Sequence, residues 1–136
     1  MTKWRVIDLT TNSAAVNMAL DEAISEAVRA KKSLPTIRLY KWKPSAVSVG
    51  YFQSLNDEVD AELCKKMGVE VVRRRTGGGA VYHDGNGEIT YSVIAPESLF
   101  PKGITESYHL ICGWIVNALG KLGIAAEFKP INDIIA

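Results

Sequence analysis

Arg73-Arg74-Arg75-Thr76-Gly77-Gly78-Gly79-Ala80-Val81-Tyr82-His83-Asp84 decides how this chain is read. The apolar run Val69 to Val72 leads in with the composition of a buried strand, and Ala80 to Tyr82 leads out as a second short one. Between them stand three arginines and three glycines, which predicts strand, glycine turn, strand, with cations at the turn. Consecutive glycines carry no Cβ, so a ligand can lie directly on the backbone. Their amide N–H groups can converge into an anion-binding concavity, and arginine adds a planar fork matched to carboxylate or phosphate. The same composition also makes a flexible turn with solvated arginines.

The flanks follow from periodicity. Trp4 to Leu9 reads as a first strand with Val6 and Ile7 toward the core, and Thr11, Asn12 and Ser13 offer capping oxygens. A helix to about Lys31 carries the stripe Val16, Ala19, Leu20, Ala23, Ile24, Ala27 and Val28. Asp21 and Glu22 are read as its solvated face, since adjacent helical positions diverge. Thr36 to Trp42 alternates as a strand, with Arg38, Tyr40 and Trp42 on one side. Ala46 to Val49 is a further strand ending at Gly50, and the aromatic pair Tyr51-Phe52 suits either core or an apolar pocket wall. Asn56 is predicted to cap a helix burying Val59, Leu63 and Met67 and ending at Gly68. Glu88 to Ala95 is a strand, Thr105 caps a helix to about Leu122, and Ile124 to Phe128 is a last strand.

The chain has 136 residues, 47% hydrophobic and 23% charged, with a formal net charge of +1. That is the balance of one globular domain, residues 1–136, and it gives no global argument for nucleic acid. No apolar run spans a bilayer and no signal core opens the chain, so the expectation is a cytoplasmic protein without a membrane. Cys64 and Cys112 share no motif and read as small buried hydrophobes. Short turns between strands predict an α/β (α+β) fold with a mixed, largely antiparallel sheet flanked by helices.

The arginine–glycine stretch resembles the signature of the lipoate-protein ligase A family, relatives of the biotin protein ligases and octanoyltransferases. Asn17-Met18-Ala19-Leu20-Asp21-Glu22, Val47 to Gln53, Ile89 to Val93 and Pro130-Ile131-Asn132-Asp133-Ile134 resemble further family segments, in order. The resemblance implies the N-terminal portion of a biotin/lipoate ligase-like catalytic domain. It implies an enzyme that activates lipoic acid with ATP and Mg²⁺ to lipoyl-AMP, then passes the acyl group to a lysine of a carrier domain. The implied partners are the lipoyl domains of 2-oxoacid dehydrogenases or the glycine cleavage H protein.

By the same resemblance, Arg74 contacts the acyl substrate or adenylate, Thr76 shapes the loop, and Gly77, Gly78 and Gly79 let the ligand lie on the backbone. Gly79, Ala80, Val81 and Tyr82 line the nucleotide, His83 sits near the carboxylate or phosphates, and Asn132 and Asp133 lie near the nucleotide, with Asp133 toward Mg²⁺. The family's catalytic lysine follows the Asn-Asp-Ile segment, and no lysine here matches it. The isolated chain is therefore expected to adenylate lipoate poorly, either as part of a longer ligase or completed by a second ligase chain. A sheet cut short should also expose an apolar edge and favour self-association. The nearest alternative is an octanoyltransferase, which takes its acyl group from a carrier protein without ATP. Gly79 favours the ligase, because the cysteine-using transferases tend to carry arginine there. A module that binds lipoate or an adenylate without turnover is the remaining alternative.

Overall fold

The computed structural model describes residues 2–136, which fall into two compact units, the first ending at Ile94 and the second covering Ala95–Ala136. In the first unit the order is β1 (Arg5–Asn12), α1 (Ala14–Arg29), β2 (Thr36–Trp42), β3 (Ala46–Val49), α2 (Leu55–Glu58), α3 (Ala61–Lys66), β4 (Glu70–Arg73), β5 (Val81–His83) and β6 (Thr90–Ile94). The second holds a 3₁₀ turn (Glu97–Leu99), α4 (Ile104–Lys121), β7 (Glu127–Lys129) and β8 (Asp133–Ile135). β1 pairs parallel to β2, and β2 antiparallel to β6; β3 pairs parallel to β4 on one side and antiparallel to β5 on the other. β7 and β8 form an antiparallel hairpin. The fold is thus mixed α/β with antiparallel pairs in the majority, as the short turns predict.

β2 organises the first unit. Its face of Thr36, Arg38, Tyr40 and Trp42 is buried, and Tyr40 and Trp42 join Ala14 and Ala46 in the core, with Met18 and Val72 against them. α1 packs on this face, capped by Ser13, whose Oγ accepts from Val16 N. A second clamp comes from β4: Ala14 N donates to Glu70 Oε2 at 2.6 Å, a carboxylate at a helix N-terminus.

The buried stripe of α1 is Ala14, Asn17, Ile24 and Val28, with Asp21 half-buried between, whereas Val16 and Leu20 are exposed. The apolar-periodicity reading fails here because the helix buries polar groups against a buried cation. Arg38, 1% exposed, donates to Asn17 O (3.0 Å), Asn17 Oδ1 and Asp21 Oδ1 (2.7 Å), and its guanidinium lies 4.0 Å over the Tyr40 ring. Asp21 also accepts from Tyr40 OH (3.3 Å) and Ser92 Oγ (2.9 Å), so it is the hub of a network and not a solvated carboxylate. A buried charge is tolerable only when paired this way.

Other expectations are corrected too. Val6 is 61% exposed on β1. The helix expected from Asn56 breaks at Val59 into α2 and α3, with Asp60 starting the second by accepting from Leu63 N. Leu63 and Met67 face solvent, because six residues of helix give no continuous buried stripe. α4 opens at Ile104 behind Gly103, an N-cap with no side-chain hydrogen bond, and Leu122 is 76% exposed beyond its end. The last strand is shorter than expected and pairs with β8, which apolar patterning alone did not reveal.

Candidate active site

The glycine stretch is not a hairpin turn. β3 lies between β4 and β5, so the chain from Arg73 to Val81 crosses over the C-terminal end of β3. The expectation of a direct strand–turn–strand reversal missed this because Ala46–Val49 inserts between the two arms from earlier in the sequence. The crossing is tight. Arg74 N donates to Val49 O (3.0 Å) and Tyr51 N to Thr76 O (2.9 Å). Gly50 sits beneath the loop, where a Cβ would stand 2.0 Å from Gly78 O. Gly78 itself has φ +98°, a conformation open to glycine.

Each arginine of the run is engaged by its own chain. Arg73 Nη1 donates to the carbonyls of Gly50 (2.8 Å), Tyr51 (3.1 Å) and Gln53 (2.8 Å), fixing the turn that presents Tyr51 and Phe52. Arg74 Nη1 donates to Ser48 O and Oγ, both at 3.1 Å, and Nη2 to Gly77 O (2.9 Å) and Gly79 O (2.7 Å). Burial pulls the Arg74 guanidinium down from its ordinary value, though arginine stays charged at neutral pH. Arg75 Nη1 pairs with Glu22 Oε1 of α1 at 2.5 Å, both side chains largely exposed. Arg73 and Arg74 thus hold the loop and the turn beside it, while Arg75 stays largely in solvent with its ion pair to Glu22.

What the loop offers outward is backbone. Gly77, Gly78 and Gly79 are exposed, and the carbonyls of Gly77 and Gly79 turn toward Arg74. Among the described residues no hydrogen bond engages the three glycine amide N–H groups. A Cβ at Gly77 or Gly79 would meet nothing of the chain within 4 Å, so packing does not demand glycine at either position. Thr76 and Ala80 flank the loop in solvent, and Val81 (45%) and Tyr82 (58%) are exposed on β5. Tyr51 and Phe52, edge to face at 5.0 Å, are exposed, Phe52 by 88%, so the pair is surface and not core.

His83 points the other way. It is 7% exposed and stacked on Trp42, ring centroids 4.0 Å apart. Its Nε2 meets Ser48 Oγ at 2.8 Å and its Nδ1 meets Glu88 Oε1 at 2.6 Å. Neither Ser48 nor Glu88 stood out in the sequence. Ser48 is brought to His83 by the β3–β5 pairing, which carries no sequence signal; Glu88 had only its nearness, five residues after His83 across the turn where Asp84 carboxylate oxygens accept from Asn86 N and Gly87 N.

Asn132 and Asp133 belong to the second unit, in the β7–β8 hairpin, where Asp133 is opposite Lys129 in register. Asn132 O lies 3.9 Å from the buried Cys112 Sγ of α4. Burial, with Asp133 nearby, pushes the Cys112 thiol up, opposite to the activation a nucleophilic cysteine needs. Among the described residues no three His, Cys, Asp or Glu side chains gather as a metal centre. No helix among them is long and apolar enough to cross a membrane.

A loop of unengaged glycine amides, stapled from beneath by arginine beside an exposed aromatic pair, is suited to bind an acyl or anionic group on backbone. Residues 13–136 match the lipoyl protein ligase A/B catalytic domain, and the chain belongs to that family. Among curated relatives it is 46% identical to octanoyltransferase LipM of Kyrpidia tusciae over 98% of this chain and 48% of the relative. It is 43% identical to octanoyltransferase LipM of Clostridioides difficile, over 93% and 47%. The chain thus spans about half the length of the curated relatives it matches. Solved structures share its fold at lower identity. A bi-partite lipoate protein ligase from Thermoplasma acidophilum gives TM-score 0.79 at 33% identity, over 98% of this chain and 51% of that one. A lipoate-protein ligase A bound with ATP gives 0.78 at 34%, over 96% and 51%. A Thermoplasma acidophilum lipoate ligase with bound lipoic acid gives 0.74 at 33%, over 98% and 58%.

Proposed function

We propose that this chain is the N-terminal portion of the catalytic domain of an octanoyltransferase, which moves an octanoyl group from a carrier protein to a lysine of a lipoyl domain. The observation that carries the reading is the glycine loop, with carbonyls pinned to Arg74 and amides turned free. Acyl transfer builds negative charge on the carbonyl oxygen, and fixed N–H donors stabilise such charge without reorganising. Gly77, Gly78 and Gly79 are proposed to take the acyl group's polar end, and Tyr51 and Phe52 to flank its chain. Thr76, Ala80, Val81 and Tyr82 shape the rim. Arg74 acts through the loop it holds. Asn132 and Asp133 of the second unit are proposed as further substrate-binding residues on the resemblance of their segment to the family.

The octanoyltransferase names of relatives 42–46% identical outweigh the argument from Gly79 for an ATP-using ligase. Ligation of lipoic acid with ATP and Mg²⁺ remains the second reading, favoured by the ATP-bound and lipoic-acid-bound neighbours. Cys112 is not proposed as nucleophile, being buried with its thiol pushed up. The test supplies the natural-length protein with octanoyl-carrier protein and a lipoyl domain, without ATP, and follows the lipoyl domain by intact mass. Octanoylation under these conditions supports the transferase. Modification only with free lipoic acid and ATP replaces it with the ligase.

A further inference from the structure

The geometry points to His83 as a positioning residue that sets the glycine loop through Ser48 and Arg74. This rests on the reading of the loop as the acyl site. The hydrogen bonds around His83 form one chain with a single consistent direction. Arginine has only donors, so Arg74 Nη1 gives its proton to Ser48 Oγ at 3.1 Å. Ser48, 1% exposed, then has its own hydroxyl proton to give, and His83 Nε2 at 2.8 Å receives it. At the other end, Glu88 Oε1 accepts from His83 Nδ1 at 2.6 Å and from Thr90 Oγ1 at 2.7 Å. Thr90 in turn accepts from Trp42 Nε1 at 2.8 Å. Every donor finds its acceptor when His83 is neutral with its proton on Nδ1.

The other forms of His83 break the chain. With the proton on Nε2, the imidazole and the Ser48 hydroxyl compete as donors, and Nδ1 faces the Glu88 carboxylate with lone pair against lone pair. With both nitrogens protonated, Ser48 Oγ receives from two cations, and its own proton is left in a buried place without an acceptor. Stacking on Trp42 holds the ring in plane for this relay. The consequence reaches the site because the Arg74 guanidinium that binds Ser48 also grips Gly77 O and Gly79 O. Ser48 fixes where Arg74 stands, and Arg74 fixes which way the glycine amides face.

The test uses isotope-labelled protein and two variants, Ser48→Ala and Glu88→Gln. Long-range ¹⁵N–¹H spectra of the unmutated protein are expected to show His83 as the Nδ1–H tautomer; the Nε2–H form or an imidazolium at neutral pH overturns the proposal. Ser48→Ala is expected to shift the amide resonances of Gly77, Gly78 and Gly79. It should also weaken octanoate binding about tenfold, the scale of one lost hydrogen bond to a charged group. Glu88→Gln keeps an acceptor for Nδ1–H and is expected to keep the tautomer and the loop resonances. Loop resonances unmoved by Ser48→Ala, with only the unfolding midpoint lowered, would mean that the relay merely packs the core. If the unmutated protein binds no octanoate, the acyl-site reading fails, while the tautomer and the loop resonances still decide the role of His83.

Discussion

Replacing Gly50 by alanine separates the glycines that serve the fold from those that serve the ligand. A Cβ at position 50 would stand 2.0 Å from Gly78 O, 3.0 Å from Gly78 C and 3.3 Å from Gly77 C. All three are backbone atoms, so no side chain can swing aside. The Gly78 carbonyl must retreat from 2.0 Å to beyond 3.0 Å, a displacement of at least 1.0 Å. That movement loosens the Tyr51 N to Thr76 O bond and drags Gly77 O and Gly79 O away from Arg74. Overpacking against backbone costs about 2 kcal/mol, within the usual 1–3. For a unit of this size that is a fall of about 10 °C in Tm. Gly77→Ala is the contrast. Its Cβ meets nothing of the chain, and Gly77 has no positive φ, so stability should move by less than about 0.5 kcal/mol. Octanoate binding should nevertheless fall, because the methyl fills the space reserved for the ligand. Thermal melts by circular dichroism and octanoate calorimetry measure both. A Gly50→Ala protein melting within about 2 °C of the parent refutes the stacked-loop argument, since that corresponds to well under 1 kcal/mol.

Three further outcomes follow from the first unit and the cysteines. Asp21→Ala removes the carboxylate facing the buried Arg38 and should cost about 3 kcal/mol in urea unfolding, the low end for a broken buried pair because Asp21 keeps 24% of its side chain in water. Tyr40 is pushed above the ordinary tyrosine range by burial first and then by Asp21. Its phenol therefore ionises more readily in the unfolded chain. Stability is intact below pH about 10, where the unfolded tyrosine titrates, and declines above it. Tyr40→Phe should flatten that alkaline decline, and an unchanged slope between the two proteins would count against the assignment. A thiol reagent on native protein should label the half-buried Cys64 well before Cys112, whose thiol is buried and pushed up, with both reacting in denaturant; equal native rates would contradict that burial.

The residues legible from sequence were those whose pattern and environment agree. β2 and β3 came out with their observed ends because alternation and bounding turns coincide with burial. The glycine stretch announced itself by composition. Its topology did not, since pairing with β3 is set by contacts more than twenty residues away. The arginines looked like ligand-facing cations because sequence cannot show that each finds carbonyls or a carboxylate within its own chain. Asp21 was misread for the converse reason: a carboxylate on a helix is normally solvated, and only the burial of Arg38 across the fold makes it a hub. His83 shows the limit most plainly, since nothing in the order of residues places Ser48 and Glu88 on its two nitrogens.

The central claim is that the backbone of the glycine loop is the acyl-binding surface. The direct measurement is titration of ¹⁵N-labelled protein with octanoate while the amide resonances are followed residue by residue. The account predicts that Gly77, Gly78 and Gly79 shift first and furthest, with Tyr51 and Phe52 responding alongside, and that Gly77→Ala suppresses the response. Saturable binding that leaves those three glycine amides unmoved would contradict it.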